Sequence, residues 1–287
     1  MISVACIGEA MIELSLVGNN AQVGVAGDTL NTAIYLHRSA PEIKVDFITC
    51  LGDEPFSDRI CDFMTVQGIG ASAVNTIAGF SAGLYAITTA PDGERSFTYW
   101  RSNSAARQLF ADYDFSLLEK YEAVYLSGIS LAILPHEIRL ALINFLNTSS
   151  LRVIYDSNYR PRLWDSIENA RSITAAMWER ADIALPSIDD EMLLFDETSD
   201  QVIARFAKHR GQGALKRGSK GPLSIGEAIS QIYRHAASVV DTTAAGDSFN
   251  GGYLAALLTG QTQSEALMTG HALAAVVIQH RGAIIPE

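Results

Sequence analysis

Hydrophobic residues along the chain follow two spacings, one typical of buried strands and one typical of helices. Short apolar runs predict strands at residues 4–7, 45–50, 123–126, 153–156, 183–186 and 214–216. Helical spacing predicts helices at residues 29–38, 55–67, 135–147, 165–180 and 200–209. This alternation predicts an α/β fold with a mostly parallel sheet that is covered by helices on both faces.

Two segments, residues 11–17 and 83–100, alternate apolar and polar positions instead. The second contains Pro91-Asp92-Gly93-Glu94, a strong turn signal. We expect these segments to form a small sheet outside the main one, although a hairpin at the edge of the main sheet is the alternative. Ligands of open α/β sheets bind beyond the carboxyl ends of the strands, where we expect the segments that begin at Asp156 and Asp241.

A run of small residues precedes an apolar helical segment near the carboxyl end of the chain. The run Asp241-Thr242-Thr243-Ala244-Ala245-Gly246-Asp247 leads into apolar positions at helical spacing. Amide groups at a helix start are unpaired and carry partial positive charge, so a phosphate is the natural ligand. A carboxylate repels phosphate, so Asp247 makes sense as a base that takes a proton from the attacking hydroxyl. The alternative is an Asp that caps the helix.

This run resembles the second signature, D-T-x-G-A-G-D, of the ribokinase (PfkB) family of sugar kinases. The resemblance implies an anion hole at Ala244, Ala245 and Gly246, with Asp247 as the catalytic base. Ala244 stands where the family usually has Gly. If the position requires a positive φ, Ala costs roughly 1 kcal/mol there.

Two further segments carry the resemblance. The run Gly27-Asp28-Thr29-Leu30-Asn31-Thr32-Ala33 resembles the first family signature, which implies that Gly27, Asp28 and Asn31 bind the sugar. The run Leu215-Lys216-Arg217-Gly218-Ser219-Lys220-Gly221 resembles the segment that lies under the nucleotide. The nucleotide ligands implied by the resemblance are Asn158, Arg160, Lys216, Arg217, Gly218, Gly221, Ala245 and Gly246.

Two more segments narrow the substrate. Phe97-Thr98-Tyr99-Trp100-Arg101 and Asp156-Ser157-Asn158-Tyr159-Arg160-Pro161-Arg162-Leu163-Trp164 together resemble the kinases of 2-keto-3-deoxygluconate, a sugar acid. A carboxylate favours planar, bidentate recognition by arginine, so Arg101 and Arg160 are the candidate ligands, with Tyr85 and Tyr99 as hydroxyl contacts and apolar walls. The alternative for Arg101 is stacking on Trp100 or a surface ion pair.

The resemblance also implies ATP as the phosphoryl donor and a bound Mg²⁺. The family places Mg²⁺-linked groups in an N-x-x-E motif, and the matching stretch here is Ser187-Ile188-Asp189-Asp190. Asp190 is therefore the candidate metal residue. The same acidic residues could instead be first-turn helix residues that favour the helix dipole.

The resemblance spans nearly the whole chain and implies a ribokinase-like three-layer sandwich with a small β-sheet lid. We expect one domain at residues 1–287, lid strands from about 11–17 and 80–101, and a homodimer or higher homo-oligomer paired through the lid. Kinases of this family usually continue beyond the point where this chain stops, so the end is either truncated or naturally short.

Composition excludes several classes of function. The net charge of −11 and the pI near 5.0 argue against a nucleic-acid partner. Cys6, Cys50 and Cys61 lack metal-ligand spacing and are expected to be free thiols. No targeting segment or membrane span is evident, so we expect a cytoplasmic protein without a membrane partner.

The sequence therefore favours an ATP-dependent kinase that makes 2-keto-3-deoxy-6-phosphogluconate. The nearest alternative is a fructokinase or ribokinase type of enzyme, because Glu13 lies where kinases of neutral sugars often carry an acidic hydroxyl ligand. A catalytically weakened protein that binds a sugar acid or nucleotide is a second alternative, motivated by Ala244 and Ser187. A nicotinamide dehydrogenase is disfavoured, since no G-x-G-x-x-G follows the first strand.

Overall fold

The computed structural model describes residues 2–89 and 95–286, and the strands within these ranges form two separate sheets. The strands are β1 Ser3–Ile7, β2 Met11–Val17, β3 Asn20–Ala26, β4 Lys44–Leu51, β5 Val74–Thr76, β6 Gly83–Thr89, β7 Arg95–Trp100, β8 Ala123–Ser127, β9 Arg152–Asp156, β10 Ile183–Ala184, β11 Gln212–Leu215 and β12 Leu223–Ile225. The α-helices are α1 Asp28–Ser39, α2 Pro55–Val66, α3 Gly128–Ala132, α4 His136–Thr148, α5 Ile167–Arg180, α6 Ile188–Phe195, α7 Ser199–Phe206, α8 Ala245–Leu258 and α9 Gln263–Val277.

The larger sheet has the strand order β12-β11-β10-β9-β8-β1-β4-β5. Its neighbouring strands pair in parallel, except that β12 runs antiparallel to β11. This confirms the predicted α/β fold with a mostly parallel sheet. β10 is shorter than the predicted strand at residues 183–186, because Pro186 has no N–H to donate to a ladder.

Both faces of the larger sheet are buried, as parallel sheets require. Along β1, Val4 and Cys6 pack in one apolar cluster with α1, α2, α8 and α9. Ala5 and Ile7 point to the opposite face and pack in a second cluster with α4, α5 and α7. Helices therefore cover both faces of the sheet, which makes the three layers that the sequence predicts.

The small sheet has the strand order β3-β2-β6-β7. It confirms the small separate sheet expected from residues 11–17 and 83–100. The predicted turn at Pro91-Asp92-Gly93-Glu94 lies outside the described residues. The strand β3 of the small sheet was not predicted, because the polar residues at its start weaken the alternation. The Gly18-Asn19 turn before it, with Gly18 at φ +60°, is the hairpin signal that could have found it. The three-residue strands β5 and β12 of the larger sheet were not predicted either.

One positional expectation is wrong. Asp156 ends β9, as expected, but no strand precedes Asp241. The amides of Val240 and Asp241 donate instead to the carbonyl of Ile278, at 2.8 and 3.1 Å. The Asp241 carboxylate accepts from the Thr243 amide at 3.0 Å and from the Gly282 amide at 2.8 Å. The segment before α8 is therefore fixed by the chain that follows α9.

The cysteines remain free thiols in this fold, with Cys6 and Cys50 buried and Cys61 half-buried. Burial raises the pKa of the Cys50 thiol to about 11, and that of the Cys61 thiol moves in the same direction. Among the described residues, no helix combines the length and the apolar character that crossing a bilayer requires.

Candidate active site

One large cleft lies between the carboxyl ends of the parallel strands and the small sheet. Its volume is about 1370 Å³, which exceeds the space that one small ligand usually needs. Of the residues that the sequence singled out, those that line the cleft are Gly27, Asp28, Asn31, Tyr85, Tyr99, Arg101, Asn158, Arg160, Asp190, Lys216, Arg217, Gly218, Ala244, Ala245, Gly246 and Asp247. The cleft has room for two reactants side by side.

The first turn of α8 lies at the middle of the cleft. Its N-cap, Ala244, has φ +58° and ψ +17°, which is the left-handed conformation that favours glycine. The amide of Ala245 already donates to the carbonyl of Thr242 at 3.1 Å. The amides of Gly246 and Asp247 make no hydrogen bond within the described parts of the chain, so they are the donors left for an anion.

Asp247 is held by the first turn of α1. The amide nitrogen Nδ2 of Asn31 donates to Oδ2 of Asp247 at 2.8 Å. The Asp247 carboxyl meets the cleft but is otherwise surrounded by protein, and this burial raises its pKa to about 8. The negative charges of Asp28 and Asp156 raise the pKa further, while the Asn31 hydrogen bond opposes the shift. A carboxyl with this pKa is suited to act as a general base near neutral pH.

Gly27 and Asp28 form the start of α1, where the chain closely approaches the loop between β1 and β2. A Cβ on Gly27 would lie 2.2 Å from the carbonyl oxygen of Glu9, so only glycine fits there. Asp28 accepts hydrogen bonds from Ser127 Oγ at 2.5 Å and from Asn158 Nδ2 at 2.6 Å. The amide of Asn158, which the sequence assigned to the nucleotide, is thus engaged with Asp28.

Lys216 lies between β9, β11 and α8. Its ammonium donates to Asp156 Oδ1 at 2.8 Å and to Asn250 Oδ1 at 3.2 Å. Asn250 in turn donates to the other oxygen of Asp156 at 2.7 Å. The ammonium is 3.8 Å from the position that a Cβ on Gly246 would occupy, which places it beside the free amides of α8. The third proton of the ammonium is available to an anion bound there.

Arg160 and Asp190 face each other across the cleft wall. Arg160 Nη1 is 3.5 Å from Asp190 Oδ1, and Ser157 Oγ is 3.4 Å from Asp190 Oδ2. Burial raises the pKa of Asp190, against the opposing effect of the Arg160 charge. Asp190 also lies in the first turn of α6 with Asp189 and Glu191, where an acidic residue interacts favourably with the helix dipole. This interaction is compatible with its position in the cleft wall.

Arg217 and Gly221, which belong to the same sequence segment as Lys216, differ in their relation to the cleft. Arg217 lines the cleft, with its guanidinium donating to the carbonyl of Gly221 at 3.0 Å. Gly221 is not part of the cleft wall; it has φ +71°, and a Cβ there would lie 2.3 Å from the ring of Tyr233. The positive φ of this turn therefore explains the glycine at position 221, and the predicted contact of Gly221 with the nucleotide is not supported by its position.

Arg101 is buried and forms an ion pair with Glu9 through Nη2 and Oε2. This excludes both alternatives from the sequence, stacking on Trp100 and a surface pair, because Trp100 is exposed and the pair is enclosed. The Nε of Arg101 is buried without a hydrogen-bond partner, and its other terminal nitrogen, Nη1, makes no hydrogen bond among the described residues. The guanidinium therefore lines the cleft with one terminal nitrogen free.

Tyr85 and Tyr99 are cross-strand neighbours on the face of the small sheet that meets the cleft. Their ring centroids are 5.5 Å apart. Tyr85 donates its hydroxyl proton to Oε2 of Glu13. Glu13 itself is not part of the cleft wall, although its position in the chain is the one that suggested a direct hydroxyl ligand.

Several residues in or next to the cleft were missed by sequence reasoning. Glu9 and Asn250 are buried polar residues that hold Arg101 and Lys216. Glu9 follows β1 directly and Asn250 lies one turn after Asp247 on α8, so position after a strand and helical spacing were the available signals. Apolar residues wall the end of the cleft beyond Lys216, and they are Pro222, Ala236, Val239, Ala274, Ala275 and Ile278.

Comparison with known proteins identifies the family of the chain. The chain matches the model of the pfkB family carbohydrate kinases over residues 1–287. It is 41% identical to a 2-dehydro-3-deoxygluconokinase of Dickeya dadantii, over 99% of this chain and 97% of that protein. It is 40% identical to the 2-dehydro-3-deoxygluconokinase of Escherichia coli strain K12, with the same coverage.

A solved structure, a PfkB protein from Polaromonas, superposes with a TM-score of 0.84 at 27% identity and covers 98% of this chain and 96% of that one. The larger sheet and the small sheet therefore occur together in a known kinase family. The chain belongs to the PfkB family of carbohydrate kinases.

Proposed function

We propose that the protein transfers the γ-phosphoryl group of ATP to the primary hydroxyl of 2-keto-3-deoxygluconate, also named 2-dehydro-3-deoxygluconate. The product is 2-keto-3-deoxy-6-phosphogluconate. The observation that carries this proposal is the position of Asp247. It lies between a sugar side built from Asn31, Tyr85 and Arg101 and a phosphate side built from the start of α8 and Lys216.

Recognition of the acid rests on cations at the sugar side. Arg101 offers its free Nη1, and Arg160, which is half-exposed, can turn from Asp190 to the ligand. Guanidinium groups bind carboxylates through paired N–H donors, which a neutral sugar cannot match. Gly27, Asp28 and Asn31 form the opposite wall, and Tyr99 closes it from the small sheet.

Asp247 acts as the general base in this proposal. In its deprotonated form it takes the proton of the primary hydroxyl, while the hydroxyl oxygen attacks the γ-phosphorus of ATP. The hydrogen bond from Asn31 fixes the orientation of the carboxylate through Oδ2, which leaves Oδ1 for the substrate. The bond from the γ-phosphorus to the bridging oxygen breaks, and ADP leaves.

The start of α8 stabilises the transferred phosphoryl group. The free amides of Gly246 and Asp247 and the dipole of a helix 14 residues long face the charge that develops on its equatorial oxygens. Ala244 and Ala245 shape this anion hole through the left-handed turn. Lys216 adds a positive charge beside it, held by Asp156 and Asn250.

The rest of ATP occupies the cleft beyond Lys216. Arg217 and Gly218 lie beside the polyphosphate, and Asn158 and Arg160 border the site where the two reactants meet. The apolar walls formed by Val239, Ala275 and Ile278 suit a nucleobase. Membership of the pfkB family of carbohydrate kinases supports ATP as the phosphoryl donor here.

Mg²⁺ fits the excess of carboxylates at the cleft. The pKa values of Asp190 and Asp247 are both raised, with nearby carboxylates contributing to each shift, so a cation would relieve the repulsion. Mg²⁺ usually keeps several waters and uses one or two carboxylates together with substrate phosphates. Asp190 would hold it through water, and its charge would neutralise the phosphate oxygens.

We further propose that the chain works as one catalytic unit in the cytoplasm, where ATP is available, and that two copies pair through the small sheet. The face of this sheet that points away from the cleft carries the half-exposed or exposed apolar side chains of Leu16, Val23 and Trp100. Analytical ultracentrifugation tests the pairing, and a monomer at micromolar concentration would exclude it.

The decisive experiment is ADP release with Mg·ATP and a panel of 2-keto-3-deoxygluconate, fructose, ribose and no sugar. Release with the keto acid alone supports the proposal. Release with a neutral sugar keeps the kinase chemistry at Asp247 and discards the acid specificity. No release from folded protein that binds ATP or the acid favours the binding-protein alternative.

A further inference from the structure

Glu13 lies beside Tyr85 on the same face of the small sheet, but it does not line the cleft. The two are cross-strand neighbours in the register of β2 and β6, and the Tyr85 hydroxyl donates to Oε2 of Glu13. The second oxygen, Oε1, accepts from Ser15 Oγ at 3.1 Å. Tyr85 lines the cleft and Glu13 does not. The hydrogen bond from Tyr85 therefore links Glu13 to the cleft wall.

The hydroxyl of tyrosine carries a single proton, and in Tyr85 that proton is donated to Glu13. Burial raises the pKa of Tyr85, and the neighbouring Glu13 raises it further, so the phenol stays protonated. A carboxylate can only accept, so it holds the proton on its own side. Toward the cleft, the Tyr85 oxygen offers a lone pair and no donor.

We propose that Glu13 is a positioning residue that makes Tyr85 a hydrogen-bond acceptor for a secondary hydroxyl of the sugar acid. This inference rests on the proposed function and specifies how that site selects its substrate. Arg101, which is paired with Glu9, is the complementary donor for the carboxylate or keto oxygens. The pocket thus requires a donor of the ligand at Tyr85 and an acceptor of the ligand at Arg101.

The same geometry explains how a kinase of a sugar acid can carry an acidic residue at position 13. The sequence suggested an acidic residue that contacts a hydroxyl of a neutral sugar directly. In this fold the carboxylate contacts the phenol, and the phenol oxygen extends its acceptor character into the cleft. A direct carboxylate would repel an anionic substrate, whereas a neutral phenol oxygen accepts the hydroxyl without that repulsion.

The test compares Glu13→Gln, Tyr85→Phe and the double variant, with Ser15→Ala as the matched control. Glutamine keeps the size of Glu13, but its amide can donate to the phenol oxygen and release the tyrosine proton. Each protein is assayed with 2-keto-3-deoxygluconate and with analogues that lack the hydroxyl at carbon four or at carbon five. Thermal unfolding and circular dichroism confirm that each variant folds.

We expect the unmodified protein to discriminate against one analogue by about tenfold in kcat/KM, the effect of one hydrogen bond. Glu13→Gln and Tyr85→Phe should both lose this discrimination, because each should raise the KM for 2-keto-3-deoxygluconate toward that for the analogue. When Tyr85 is already replaced by Phe, adding Glu13→Gln should change kcat/KM less than about threefold. Ser15→Ala should retain it. Retained discrimination in Glu13→Gln, or an undiminished effect in the double variant, overturns the inference.

A failure of the proposed function can be distinguished from a failure of this inference. If the unmodified protein releases no ADP with the keto acid but does so with a neutral sugar, the same cycle is run on that sugar and on its deoxy analogues. Coupling between Glu13 and Tyr85 would then support the acceptor assignment with another substrate. Additive effects there would overturn it.

Discussion

Asn31 donates a hydrogen bond to Asp247 at 2.8 Å, although 216 positions of sequence separate the two residues. Asn31 belongs to the first turn of α1 and Asp247 to the first turn of α8, so the bond joins the starts of two helices that pack on the same face of the larger sheet. It directs one oxygen of the carboxylate toward α1 and leaves the other free. The arrangement fits a base whose position must be fixed before the substrate arrives.

Replacement of Asp247 by Asn should remove turnover while substrate binding remains. Asparagine keeps the size of the side chain and can still accept from Asn31, but it cannot take a proton from the primary hydroxyl. We expect kcat to fall by about 10²–10⁴-fold, the usual contribution of a general base. Calorimetric titration with the acid and with ATP provides the binding control, and turnover close to that of the unmodified enzyme would exclude Asp247 as the base.

The pH dependence of turnover should report the pKa of Asp247. Only the deprotonated carboxyl is a base, and burial with the charge of Asp28 raises its pKa to about 8. We therefore expect kcat/KM to rise with pH and to level off above about 8. Initial rates in buffers of constant ionic strength measure this profile. A rate that is already constant near pH 6 would contradict the raised pKa.

The same raised pKa predicts how stability changes with pH. Asp247 holds its proton more tightly in the folded chain than in the unfolded chain, where its pKa is near 3.8. Folding therefore loses stability as pH rises from the unfolded pKa through about 8. Asp247→Asn removes this loss, so its Tm should exceed that of the unmodified protein at pH 8 and match it near pH 4. Equal differences at both pH values would argue that the substitution acts by another route.

Replacement of Ala244 by Gly should not destabilise the protein. Ala244 has φ +58°, and relief of that strain, roughly 1 kcal/mol, offsets the greater flexibility of glycine in the unfolded chain. The matched control is Ala175→Gly in the interior of α5, where the exposed alanine has ordinary helical geometry. That change should cost about 1 kcal/mol. Urea unfolding compares the two, and an equal cost at both positions would exclude strain at Ala244.

Arg101 should contribute to acid specificity and to stability by separable routes. Arg101→Met leaves the Glu9 carboxylate buried without a counter-charge, at a cost of about 3 kcal/mol. It should also weaken binding of the keto acid far more than binding of a neutral sugar. Adding Glu9→Gln should recover stability without recovering acid binding. Recovery of both in the double variant would assign Arg101 a structural role alone.

Local sequence patterns predicted most of the strands and helices and the helix start at α8. Hydrophobic spacing is a local property, so the strands and helices on both faces of the sheet were readable from it. The turn before α8 was predictable for the same reason, since small residues followed by an apolar helical run favour a helix start. The strand β3 was not predicted, because the polar residues at its start weaken that local pattern.

The tertiary structure alone decided which side chains act together. The pairing of Asn31 with Asp247, of Glu9 with Arg101 and of Glu13 with Tyr85 joins segments separated by 216, 92 and 72 positions. Such contacts depend on strand order and register, which no local spacing encodes. The positive φ of Ala244 and the raised pKa of Asp247 depend in turn on the packing around them. The sequence therefore determined which chemical groups are present, and the fold determined their partners, because partners are set by distances between segments far apart in the chain.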